Sequence, residues 1–180
     1  TRADALGCYG SERPTSPAID ELARTGTRFA RAYSTAPWTK PAIASILTGK
    51  FPSAHGAQGF QRVLPDEIDT LAEMLGRHGY ATAAIVSHRL VGRSTGLAQG
   101  FEVYRDGQAR GPRHFSTPGV VAEAREEIAR LARGKRPFFL FVHFFDPHAD
   151  YLRHPDVGFA PPRAGRLDAT QPMSQLREWM

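Results

Sequence analysis

The chain has a single cysteine, Cys8, among its 180 residues. One thiol excludes an intrachain disulfide and a zinc site built from cysteines. A lack of disulfides fits a reducing compartment without requiring one, so no localisation is assigned. No apolar run approaches the ~18 residues of a membrane-spanning helix, and the chain holds no membrane segment. Blocks of five like charges are also missing. The 23 basic and 18 acidic residues leave a net charge of +5, but the excess is scattered, mostly as Arg, and nucleic acid is not indicated as a partner. A modest positive field suits an anionic substrate and serves solubility equally well. Internal repeats and low-complexity segments do not occur.

What is present is ordinary for a globular chain: 41% hydrophobic and 23% charged residues, long enough for one domain with a sizeable core. Ser16-Pro17 predicts a helix start with Ser16 as cap, Ile19, Leu22 and Ala23 turned inward, and Gly26 as the stop. Thr27 to Ser34 alternates and predicts a strand. Ile68, Leu71, Ala72 and Leu75 share one helical face. Tyr80 to Ser87 is apolar on both alternating faces, as in a buried parallel strand. Thr117-Pro118 opens a long helix to about Arg133, with Val121, Ala124, Ile128 and Leu131 as its inward stripe and Glu126 paired with Arg130. Pro137 to Phe145 is the most apolar run and predicts a central strand buried on both faces, with His143 a hydrogen-bonded core residue. Helix, short Gly turn and buried strand together are α/β grammar.

The most informative stretch runs from Thr35 to Pro52. Polar residues lead into a helix with Pro41 in its first turn, Ile43, Ile46 and Leu47 as its apolar face, and Gly49 at its left-handed end. Thr39 sits at or just before the N-terminus, where unpaired N–H groups and the helix dipole favour an anion. Locally, Thr39 reads either as an N-cap or as a nucleophile.

This stretch resembles the signature of the sulfatase branch of the alkaline-phosphatase-like superfamily: Cys or Ser, any residue, Pro, any residue, Arg, an apolar run, then Thr-Gly, a basic residue, an aromatic and Pro. Thr39 stands at the Cys/Ser position, Pro41 matches, and Thr48-Gly49-Lys50-Phe51-Pro52 matches the end. Ile43 replaces the Arg. The opening Arg2-Ala3-Asp4-Ala5-Leu6-Gly7-Cys8-Tyr9-Gly10 resembles the family's N-terminal segment, in which a metal-binding Asp lies just upstream, so Asp4 is expected to be a turn residue. Asp146-Pro147-His148-Ala149-Asp150-Tyr151 resembles the family's Asp-Pro-His-x-x-Tyr element. Ser87 and Arg89 occupy the places of a family Lys and His, with His88 between them. His55 matches a frequent family residue with a structural role.

The resemblance implies an α/β fold: an alkaline-phosphatase-like sandwich with a mostly parallel central sheet and helices on both faces. Residues 1–180 correspond to the N-terminal part of the catalytic domain, without its first strand and its C-terminal metal-binding part. It further implies a divalent cation (calcium, magnesium, manganese or zinc), with Thr39 as a ligand and the others outside this chain, and a small-molecule or lipid- or sugar-linked anionic ester as substrate. Thr39 and His148 are the expected catalytic residues; Lys40, His88 and Arg89 are expected to bind the substrate.

Formylglycine is not expected, because oxidation of Thr39 would give a ketone and Ile43 removes the Arg read by the maturation machinery. The expectation is therefore a metal-dependent hydrolase or transferase of phosphate or sulfate esters working through a covalent intermediate on Thr39. A true sulfuric ester hydrolase and a degenerate, non-catalytic anion-binding relative are the alternatives.

Overall fold

A computed structural model describes residues 2–109, 116–146 and 148. The chain divides into two compact units, residues 1–33 with 147–180, and residues 34–146.

In the first unit, two 3₁₀ turns, Ala3–Ala5 and Gly7–Tyr9, precede helix α1, Pro17–Thr25. Pro17 takes the first helical position as expected, but Ser16 does not cap through its side chain. Its Oγ instead accepts from the Gly7 N–H at 2.9 Å and donates to Asp20 at 3.0 Å. Asp20 also accepts the Cys8 N–H at 2.7 Å. Gly7 is required here, since a Cβ on it would lie 2.4 Å from the Asp20 carboxylate. Ile19 and Leu22 are exposed rather than inward. The expected strand over Thr27 to Ser34 is not formed: these residues are exposed and join no ladder among the described residues. Alternation alone does not make a strand when no neighbouring strand takes up the backbone groups.

The second unit is built on β1, Ala81–Val86, which is buried along its whole length. Strands β2, Val103–Arg105, and β3, Phe138–His143, lie on either side in the order β2-β1-β3, both parallel to β1. Among the described residues β1 is therefore central, and β3, expected there, is partly exposed. The sheet separates two layers by the strand period of two. Ala84 and Val86 face a cluster with Ala44, Leu47, Leu64, Val91 and Leu97. Ile85 faces Val120 and Ala124, and Ala83 faces Leu131. Full burial of a side chain such as Ile85 contributes about 1.5–3 kcal/mol.

Among the described residues four α-helices complete this unit: α2, Thr39–Thr48; α3, Pro52–His55; α4, Leu71–Arg77; and α5, Thr117–Ala132. Gly49 ends α2 at φ +66°, the left-handed conformation its residue type allows. Thr70 and Glu73 form a reciprocal capping box at the start of α4. The segment after β1 holds 3₁₀ turns at Arg89–Val91 and Arg93–Thr95 as well as β2.

Helix α5 turns by one residue from its expected register. Val120, Ala124, Glu127 and Leu131 are buried, while Val121 and Ile128 are exposed. Glu127 enters the core because Arg105, at 3.3 Å, and Arg130, at 2.5 Å, neutralise it. Arg130 thus pairs with Glu127 instead of Glu126, whose carboxylate meets Arg105 at 3.5 Å.

Candidate active site

Thr39 is the first residue of α2, and the N-cap position is held by Trp38 in an extended conformation with no side-chain cap. The capping role considered for Thr39 is thus not taken. Among the described residues no group takes a hydrogen bond from its hydroxyl. N–H groups in this first turn lie outside the helical ladder and face the chain's approach to the helix. Pro41 occupies the third helical position, where its missing N–H leaves nothing unsatisfied.

The buried face of α2 is Lys40, Ala44, Leu47 and Thr48, with Pro41 and Ser45 beside it. Ile46, expected inside, is 64% exposed. Lys40 takes the inward position and is 1% exposed. Its Nζ donates to the carbonyls of Phe60, at 3.0 Å, and Arg62, at 2.6 Å. Burial holds its pKa below the usual lysine range. Lys40 therefore ties the Gln58–Arg62 loop to the first turn of α2. Its spacing from Ala44 and Leu47, at i, i+4 and i+7, was a usable signal, obscured by its charge.

His55 is fully buried behind the same helix. Its Nδ1 accepts the Ala57 N–H at 3.1 Å, so the neutral ring carries its proton on Nε2, 3.1 Å from Ser45 Oγ. Burial, the larger effect, lowers its pKa against a hydrogen bond involving the Pro41 backbone. The neutral imidazole thus braces α2 next to Thr39.

In the parallel sheet, side chains gather beyond the strand C-termini, where such sheets bind ligands. Val86 and His143 are in register at this edge. Ser87, which follows β1, is buried and donates to the His143 carbonyl at 2.8 Å. His88 stacks on Phe145 with centroids 4.1 Å apart, and its Nδ1 accepts the Leu90 N–H at 3.4 Å. The 3₁₀ turn that His88 opens packs against α2. Arg89 is exposed and makes no ion pair among the described residues. His143, expected to be hydrogen-bonded, has a buried Nδ1 without a partner. Burial, then the neighbouring His88 charge, pushes its pKa down to about 4.

Asp146 has a role the sequence reading missed. It is 7% exposed, and its carboxylate accepts from Ser116 N at 3.0 Å, Ser116 Oγ at 2.7 Å and Thr117 N at 2.8 Å. It caps α5 across 30 residues of sequence. Burial works to raise its pKa, and the hydrogen bonds from Thr117 and Ser116 outweigh that and lower it. His148 is an exposed residue of the first unit; Pro147 and Tyr151 of the same motif lie outside the described residues. Among the described residues no three His, Cys, Asp or Glu side chains converge as a metal cluster. These residues therefore do not by themselves fit the expected cation.

The sulfatase family model matches residues 1–164. An N-acetylglucosamine-6-O-sulfatase of Bacteroides thetaiotaomicron is 26% identical over 165 residues, covering 84% of this chain and 29% of the relative. The steryl-sulfatase of Mus musculus is 36% identical over 91 residues, covering 44% of this chain and 15% of the relative. A protein solved in complex with its substrate D-glucosamine-2-N,6-O-disulfate superposes with a TM-score of 0.69 at 23% identity, covering 83% of this chain and 33% of that one. The phosphonate monoester hydrolase of Agrobacterium radiobacter superposes at 0.62 with 19% identity, covering 83% and 39%. The chain spans 15% and 29% of the length of these two curated relatives.

Proposed function

The chain belongs to the sulfatase family, and on that premise we propose that it carries the nucleophile end of an ester hydrolase or transferase in which the Thr39 hydroxyl attacks a sulfate or phosphate ester. The observation that carries this reading is the unengaged Thr39 hydroxyl at the first position of α2. Thr39 Oγ1 forms a bond to sulfur or phosphorus as the ester oxygen bond breaks, and the hydroxyl proton ends on the departing alcohol. Water or a second alcohol then displaces Thr39, which regains a proton. The helix N-terminus favours the equatorial oxygens of the transferred group.

His88 and Arg89 are the proposed substrate-binding groups on the turn packed against α2. With Nδ1 accepting from Leu90, the neutral His88 ring has Nε2–H as its donor. His148 is proposed as the second catalytic residue, donating to the leaving oxygen. Lys40 is better read as an internal brace than as a direct substrate contact, because its ammonium donates to the backbone carbonyls of Phe60 and Arg62. A divalent cation belongs to the proposal for the intact protein and would lower the hydroxyl pKa of Thr39; its remaining ligands are to be sought outside the described residues.

Two observations bear on the ester. The two curated relatives named are sulfatases, and a solved neighbour has a disulfated glucosamine as its substrate, which supports sulfate, while another solved neighbour is a phosphonate monoester hydrolase. Thr39 and Ile43 depart from the formylglycine signature, which supports phosphorus and an unmodified hydroxyl. Turnover of 4-nitrophenyl sulfate and 4-nitrophenyl phosphate by the intact protein decides between them. Thr39→Ala is expected to abolish turnover of whichever ester is used and Thr39→Ser to retain part of it. Acid-quenched protein is expected to carry the transferred group on Thr39 by mass spectrometry. Full activity in Thr39→Ala would end this reading of Thr39, and absence of turnover of either ester by the unaltered protein would leave the non-catalytic anion-binding alternative.

A further inference from the structure

We propose that Trp38 and Phe60 form a ring-recognition surface beside Thr39, held in place by Lys40, which binds the flat apolar face of a ring in the substrate's alcohol part. The inference rests on the reading of Thr39 as the reacting residue and adds what the site would select.

Three observations converge. Trp38 directly precedes Thr39 and is half-buried in an extended conformation. Its ring lies 5.2 Å from that of Phe60, with the planes tilted by 37°. Phe60 nevertheless stays 71% exposed. An aromatic side chain left this open contributes little to folding through burial.

The loop is not slack around it. The Phe60 and Arg62 carbonyls are both bound by the buried Lys40 ammonium. Taking an ammonium out of water with only neutral acceptors is costly. That cost is borne next to Thr39, on a segment whose visible product is an exposed ring fixed against Trp38. Gly59, at φ +75°, lets the backbone turn just before Phe60.

Two adjacent aromatic rings, one open to solvent, offer a π face to an aryl ring or to the C–H face of a saturated ring such as a pyranose. Anionic groups suit the faces of these rings poorly, since the π face is itself electron-rich. Selection would fall on the alcohol side of the ester, while the transferred group is held at the helix N-terminus.

The test uses non-hydrolysable anions titrated calorimetrically into the intact protein: phenyl-, cyclohexyl- and methylphosphonate, with benzenesulfonate and methanesulfonate as the sulfur pair. Phenyl and cyclohexyl separate an aryl from a saturated ring. The ring-bearing member of at least one pair is expected to bind roughly 5- to 10-fold more tightly than the methyl compound, the range one aromatic contact supplies. Phe60→Ala and Phe60→Leu are expected to abolish that preference with methyl-compound affinity unchanged, and Phe60→Tyr to keep it.

Equal affinities for ring and methyl compounds, binding of neither, or a preference that survives Phe60→Ala would overturn the proposal. So would a change of oligomeric state in Phe60→Ala by sedimentation, which would make the pair a contact between copies. The readout is binding, so it separates from the parent reading. Thr39→Ala with full turnover and an intact ring preference defeats only the nucleophile; Thr39-dependent turnover without ring preference defeats only this surface.

Discussion

Asp146 accepts the backbone N–H of Thr117 at 2.8 Å, so the first turn of α5 is capped by a carboxylate that follows β3. Removing it leaves buried donors at Ser116 and Thr117 unpaired. Asp146→Ala is expected to destabilise the protein by about 2–3 kcal/mol, and Asp146→Asn by less, because the amide oxygen still accepts. Urea midpoints measure both, and an unchanged midpoint in Asp146→Ala would show the cap to be idle. With its folded pKa lowered, Asp146 stabilises above its unfolded pKa of ~3.9, and that contribution is lost as pH falls through the folded value.

His143 supplies a second pH dependence with a different window. Its folded pKa, pushed down to about 4 by burial, lies below the ~6.5 of the unfolded chain. Between these values the unfolded state binds the proton more readily. Stability therefore rises as pH goes from 4 to 6.5 and is fully present above that. Up to ~3 kcal/mol is involved, as an upper bound for a group that keeps some exposure. His143→Gln is expected to flatten the stability profile in this interval, while retention of the full slope would assign it to another group.

The register of α5 is open to a direct comparison. Val120 faces Ile85 in the core, whereas Val121 is 38% exposed. Val120→Asp is expected to cost roughly 3 kcal/mol or more, from lost burial and a stranded charge. Val121→Asp is expected to stay within about 1 kcal/mol. Thermal melts of the two variants read the difference, and the reverse order would restore the stripe expected from Val121 and Ile128.

Lys40→Met keeps the buried stem and removes the ammonium. Loss of the two carbonyl bonds and relief of the buried charge oppose each other, so global stability is expected to move by no more than about 1–2 kcal/mol. The local effect is larger: proteolytic cleavage between Gly59 and Val63 should rise severalfold, because the Phe60 and Arg62 carbonyls lose the ammonium that ties them to α2 and only the Trp38–Phe60 ring contact is left among the described contacts to that helix end. Unaltered cleavage would mean that the loop is held without Lys40.

Much of the fold was legible where burial is two-sided or a terminus has local chemistry. Tyr80 to Ser87 announced β1 because both of its faces are apolar. Pro41 and Gly49 bracketed α2 because each residue type suits its backbone position. What hydropathy left unseen shares one cause. Lys40, Glu127 and Asp146 are polar residues placed inside by partners distant in sequence, and hydropathy sends such residues outward. Ile46, Val121 and Ile128 were assigned inside for the converse reason. At the proposed site, Thr39 was singled out from residue types at signature spacing. The Trp38–Phe60 pair and the Lys40 strap depend on a loop closing back on its helix, which spacing along the chain does not encode.

The Asp146 cap also bears on the order in which the molecule assembles. Its donors at Ser116 and Thr117 precede it by about 30 residues, so during synthesis α5 emerges with an incomplete N-terminus. The cap closes only after β3 has emerged and found its place along β1. Pulse-labelled hydrogen exchange at Thr117 would time that closure. Asp146, two positions before the proposed second catalytic residue in the sequence, is itself fixed only in that same late event, once the sheet is in place.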